Sequence, residues 1–203
     1  MTAVGGTSLG IGEANNRVLE TGWGTSDYGC NTTTLVCTRT GWFYGSGGGV
    51  SKLFPAPSYQ SSLGLSGRAI PDVAALGDPQ TGFLMGQTQT FPGGSSYDEF
   101  RIGGTSLSSP IFAGLIALAD QAAGHAHGFA NPLFYANPSS FTDILSVKTA
   151  VARRNFSNGV DASAGTSDHL RTFDDYSGSP TQHTGPGWDN VTGLGTPNGI
   201  FSH

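Results

Sequence analysis

The stretch GGTSLSSPIFAGLIALADQ, residues 103–121, sets a small hydroxyl at the mouth of a run that has almost no polar side. Ile111, Phe112, Ala113, Leu115, Ile116, Leu118 and Ala119 cover nearly every helical direction, which predicts a helix enclosed by other elements. Pro110 suits such a helix only near its start, because further in it removes a backbone donor and clashes with the preceding turn. The helix is therefore expected to begin at Thr105 or Ser106. Two readings of that start compete. Ser106 is a nucleophile placed where unpaired amides and the positive end of the helix dipole can receive a developing oxyanion, or Thr105 or Ser106 is simply an N-cap.

Working outward, DEFRIGGTS reads as a strand entering the helix, and GRAIPDVAALGD as a buried strand after Pro71. Asp72 within it is read as structural rather than catalytic. Residues 2–9, 16–23 and 33–43 are short strand candidates separated by Gly or Asn signals. Gly45 and Gly47 to Gly49 allow a close approach of backbones, for example to a bound peptide, or form a plain flexible loop. NPLFYANPSS predicts a short helix bounded by prolines and FTDILSV a strand, while residues 152–184, rich in Ser, Asp and Gly, predict long surface loops.

With 203 residues, 36% of them hydrophobic, the chain can bury one sizeable core, so residues 1–203 are expected to form one domain. Only 11% is charged, against roughly 25% in an average soluble protein, and 32 residues are glycine. That profile suits a secreted, tight-turned fold, and few carboxylates means little destabilisation as pH falls. Nine scattered Lys and Arg and a formal charge of -5 leave no footprint for nucleic acid. The longest apolar run, 111–119, falls well short of the roughly 20 residues that span a bilayer, so no membrane partner is expected.

Cys30 and Cys37 flank NTTTLV, a spacing that suits a disulfide across a hairpin or loop, or leaves two free thiols. His125 and His127 in GHAHG are either metal ligands or a solvated helix end. Met1 is not followed by a basic and then apolar leader, so the protein is cytosolic or something upstream has been removed.

A serine nucleophile needs a base. All five histidines follow Ser106, so the subtilisin order Asp, His, Ser is impossible within this chain. The order Ser, Asp, His stays open, but its Gly-x-Ser-x-Gly elbow would need glycine where Ser108 stands.

TAVGGTSL, GSGGGVSKLFPAPSYQ, RAIPDVAA, GGTSLSSP, FTDIL and GPGWDNVTGLGTPN follow one another here in the order and approximate spacing of the sedolisin, or serine-carboxyl peptidase, family. The resemblance covers essentially the whole chain. It implies an α/β, subtilisin-like fold, a mostly parallel sheet flanked by helices, in a secreted peptidase active in acid. It also implies that Ser106 is the nucleophile. In place of His the family uses a Glu oriented by an Asp four residues later, with a further Asp at the oxyanion. A carboxylate suits acid, where His would be fully protonated.

All three acidic groups precede the family's TAVGGTSL strand, and this chain offers no replacement: Glu13 is followed four residues on by Arg17, Glu20 by Gly24, and Glu99 by Gly103. The resemblance therefore implies the C-terminal part of a catalytic domain lacking its N-terminal half, inactive alone and completed by that half as a partner. Self-association through uncovered strand edges is a further expectation. One calcium ion is implied in the region 141–193, bound by the Asp143 carboxylate, the Ile144 carbonyl, the Gly185 and Gly187 carbonyls and the Asp189 carboxylate, the hard oxygen donors such an ion takes. A competing reading is a non-catalytic, calcium-binding module of subtilisin-like fold that associates with a partner chain, Ser106 serving as a cap.

Overall fold

The computed structural model describes residues 1–31, 34, 36–145, 151–154, 167–173 and 181–199. Its strands are β1 (Val4–Ile11), β2 (Arg17–Gly22), β3 (Gly24–Asn31), β4 (Cys37–Gly45), β5 (Gly49–Pro55), β6 (Gly67–Ile70), β7 (Val73–Leu76), β8 (Phe83–Phe91), β9 (Gly94–Ile102), β10 (Phe141–Thr142), β11 (Val151–Arg154), β12 (Ser167–Phe173) and β13 (Thr196–Pro197). Its helices are α1 (Thr105–Ala123) and α2 (Asn131–Ala136).

The Val-Ala-Ala-Leu run of β7 is buried throughout, as expected of a strand covered on both faces. It pairs in parallel with β1, from Val4 opposite Val73 to Thr7 opposite Leu76. Helix α1 packs across this pair. Phe112, Ala119, Ala130, Phe134 and Phe141 close over Val73 to form the core, where Phe134 meets Phe112 and Phe141 edge to face at 5.4 and 5.7 Å. Gly6 is small of necessity, because a Cβ there would lie 2.7 Å from the Trp23 ring.

Four expectations are revised. Among the described residues only β1 and β7 pair in parallel, and the other strand pairs are antiparallel. Helix α1 is enclosed on one side only: Leu107, Ser108, Phe112 and Ala119 are buried, whereas Ala113, Gly114, Ala117 and Leu118 are exposed. The polar region 152–184 contains strand rather than loops alone, because β12 pairs with β3 along its whole length, from Ser167 opposite Asn31 to Phe173 opposite Thr25. Ladder partners far along the chain override a weak local preference. FTDILSV gives only the two residues of β10, since the Asp143 carboxylate is drawn to the Gly187 amide and Ile144 is buried; residues 146–147 lie outside the described set.

Asp72 is structural, as read. Fully buried at the entrance to β7, it accepts from the Ala3 amide at 2.8 Å, from the Tyr135 hydroxyl at 3.0 Å, and from Gln60 and Arg68. It thereby ties β1, β7 and α2 together. Burial and then the Asp72 charge hold Tyr135 far above the usual tyrosine range, so its hydroxyl stays a donor. Burial alone would lower the Arg68 pKa, but its hydrogen bond and attraction to Asp72 outweigh that and raise it.

Candidate active site and calcium loop

Ser106 lies exposed in the first turn of α1. The cap is neither Thr105 nor Ser106. It is Gly104, at φ 90° and ψ 163°, with no side-chain capping bond. A positive φ of this kind is cheap only for glycine, and it turns the chain from β9 into the helix within two residues. The Ser106 hydroxyl is thus left without a structural task among the described residues, while the first amides of α1 have no helical acceptor. Its neighbour has the opposite role. Ser108 is fully buried and donates to the Leu76 carbonyl at 3.0 Å.

The seat of this turn is the end of β7. The Gly104 amide donates to the Gly77 carbonyl at 2.5 Å. A Cβ on Gly103 would lie 2.4 Å from the Pro79 nitrogen, and one on Gly77 would lie 2.9 Å from the Gly6 Cα. Asp78, also fully buried, accepts from the Ser8 hydroxyl at 2.7 Å and the Gln80 amide at 2.8 Å, fixing the turn against β1. Sequence reasoning passed over Asp78; the signal available was the Gly-Asp-Pro turn directly after an apolar strand.

Ser106 touches no base among the described side chains. His125 and His127 lie at the far end of α1, about 20 Å or more away at 1.5 Å per residue. His125 is exposed, as a solvated helix end would be, whereas the His127 amide and ring Nδ1 both reach Asp120 Oδ1, at 2.9 and 2.6 Å. These two bonds, the backbone one first, hold the Asp120 pKa below the ordinary aspartate range. No group of three or more His, Cys, Asp or Glu that could hold a metal exists among the described residues.

Of the expected calcium residues, Asp143 meets Gly187 from 44 positions away along the chain. Antiparallel pairing of β10 with β13 carries Asp143 to the loop 185–189, where the Gly187 amide donates to its Oδ2 at 2.8 Å. Asp189, nearly buried, accepts from the amides of Gly185, Val191 and Thr192 and from the Thr192 hydroxyl, at 2.7–3.2 Å. Burial nevertheless pushes its pKa up, against the pull of those donors. Gly187 sits at φ 77° with open space where a side chain would be, and the Trp188 indole anchors the loop to the Pro71 carbonyl at 2.8 Å. The donor set fits a hard cation: two carboxylates, one of them exposed, beside a loop with open space where Gly185 and Gly187 would carry a side chain.

In the glycine run, the close approach is internal. A Cβ on Gly48 would lie 2.0 Å from the Ile70 carbonyl oxygen. The Gln182 carboxamide pairs with both backbone groups of Gly48, accepting at 3.1 Å and donating at 3.0 Å.

No protein-family model matches the chain. Kumamolisin of Bacillus sp. (strain MN-32) is 33% identical over 211 aligned residues, covering 98% of this chain and 29% of its own length. Aorsin of Aspergillus oryzae is 36% identical, over 76% of this chain and 23% of its own. Human tripeptidyl-peptidase 1 is 31% identical, over 76% and 26% respectively. Among solved structures, Pseudomonas sedolisin, a serine-carboxyl proteinase complexed with two molecules of pseudo-iodotyrostatin, superposes with a TM-score of 0.62 at 28% identity, over 97% of this chain and 43% of that one. The chain thus spans less than a third of these curated relatives.

Proposed function

Because the chain belongs to the sedolisin family of serine-carboxyl peptidases, we propose that it is the C-terminal part of the catalytic domain of a secreted, acid-acting serine endopeptidase, with Ser106 as nucleophile. The observation that carries this reading is the exposed Ser106 hydroxyl, relieved of capping by Gly104 at the amide end of α1. Ser106 Oγ attacks the peptide carbonyl while its proton passes to a Glu carboxylate from the preceding part of the domain. The Ser106 amide and an Asp from that part stabilise the oxyanion. Collapse of the tetrahedral adduct expels the amine, which takes the proton back, and water then releases the acyl group from Ser106. The exposed face of α1 at Ala113, Gly114, Ala117 and Leu118 is where that preceding part packs. The test is hydrolysis of a peptide at acid pH: this chain alone is inactive, and activity appears once the preceding part is supplied. An assembled complex with no activity would leave the non-catalytic module as the better reading.

Asp143 and Asp189, with the carbonyls of Ile144, Gly185 and Gly187, hold one calcium ion in this proposal. An ion held there would tie the segment after β10 to the C-terminal loop. Asp143→Asn keeps an oxygen for the Gly187 amide but removes one charge, so calcium affinity should fall on the order of 10–100-fold with little change in the calcium-free stability. Isothermal titration of both forms checks this; equal affinities would place the ion elsewhere.

The register sets Cys30 directly opposite Cys37 in the β3–β4 ladder, which supports a disulfide closing that hairpin. Intact mass before and after reduction should differ by the two hydrogens of one bond, and an unchanged mass would mean two free thiols.

A further inference from the structure

The segment Gly-His-Ala-His-Gly, residues 124–128, follows directly on α1 and holds a polar atom that the fold leaves unsatisfied. Gly124 and Gly128, at φ 72° and 63°, bend these residues back on the helix, where the His127 side chain is only 8% exposed. Its Nδ1 meets Asp120 Oδ1 at 2.6 Å. Its Nε2 is buried and has no hydrogen-bond partner among the described residues. Buried polar atoms are seldom left in that state, and such an orphan points to a ligand.

The tautomers decide which kind. A carboxylate and a carbonyl only accept, so the His127 Nδ1 at Asp120 carries the proton, and so does the His125 Nδ1, 3.1 Å from the Ala123 carbonyl. In the neutral rings each Nε2 is then a bare lone pair. The two rings are neighbours, with centroids 5.4 Å apart and planes inclined at 35°. Two imidazoles on one tetrahedral zinc ion, at Zn–N distances of about 2.0–2.1 Å, set their centroids roughly 5 Å apart. An acceptor behind each Nδ1 is also what fixes the tautomer and orientation of a ligating histidine. His125 is exposed, which gives an ion a way in.

We propose that His125 and His127 bind one divalent transition-metal ion of the zinc type through their Nε2 atoms, with Asp120 and the Ala123 carbonyl as outer partners. Two protein ligands, with water in the remaining positions, make this an open and exchangeable site rather than a closed structural one. Imidazole selects a softer cation than the oxygen donors at Asp143 and Asp189, so the two sites are distinct. The bound ion pins the segment leading to α2 onto the end of α1, and the proposal is independent of the peptidase reading.

Isothermal titration of the folded 203-residue chain with zinc chloride at neutral pH tests it, in excess calcium so that the hard-cation loop does not compete. The wild type should take up one zinc ion, and His125→Ala should lose that uptake. Asp120→Asn should bind roughly 10–100-fold more weakly, the usual cost of disturbing an outer partner, and His183→Ala should match the wild type. No uptake by the wild type overturns the proposal, as does undiminished affinity in His125→Ala. Should a variant fail to fold, ¹⁵N resonances of the histidine rings in the wild type decide. Zinc that shifts the Nε2 signals of His125 and His127, with both Nδ1 still protonated, supports the site; shifts confined to other histidines overturn it.

Discussion

Ser106→Ala in the assembled peptidase will abolish hydrolysis, lowering kcat by on the order of 10⁴–10⁶-fold while leaving substrate affinity and thermal stability close to wild type. The split follows from the geometry. Ser106 is exposed and makes no capping bond, so removing its hydroxyl breaks nothing that holds α1. The neighbouring Ser108→Ala separates the two roles. It removes a buried donor from the Leu76 carbonyl, which should cost about 1–3 kcal/mol of stability and spare most of the chemistry. If Ser106 were a cap, its loss would instead cost about 1 kcal/mol of helix stability. Thermal unfolding beside steady-state kinetics tells the two apart, and retained turnover in Ser106→Ala would remove it from the mechanism.

Asp72→Ala will be the most destabilising single change considered, by about 3–5 kcal/mol, the usual cost of breaking one side of a buried ion pair. It strips the acceptor from Arg68, Tyr135 and the Ala3 amide at once. The β1–β7 pair and α2 then lose their common tie at the entrance to β7. Asp72→Asn retains one acceptor oxygen but sets an amide group against donors, so an intermediate loss is expected. Denaturant unfolding of both variants is the measurement, and a loss below about 1 kcal/mol for alanine would mean the network is not limiting.

Much of this was legible from local signals. The α1 start follows from Pro110, the buried β7 from its continuous apolar run, and β1 from the strand candidate at residues 2–9. What could not be read depends on partners far along the chain. β3 and β12 are poor in large apolar residues and exist as strands through their ladders, to each other and to β4 and β11 on either side. The Gln-Thr alternation of β8 has no buried face to announce it. The enclosure predicted for α1 failed on one side because the sequence records how apolar a helix is, not which segment covers it. The site divides in the same way. Ser106 and its helix are local, and a glycine, not a serine, provides the cap because the turn demands φ 90°. Asp78 was announced only by its Gly-Asp-Pro turn, and its bond to Ser8, like the bond of Asp143 to the Gly187 amide, needs the folded chain.

The central claim, that Ser106 forms the acyl intermediate, is tested most directly by quenching the assembled peptidase in acid during turnover of a peptide ester and locating the covalent adduct by mass spectrometry. An acyl group on the peptide containing Ser106, absent from Ser106→Ala, is the predicted result. An adduct on another residue, with hydrolysis undiminished in the variant, would contradict it.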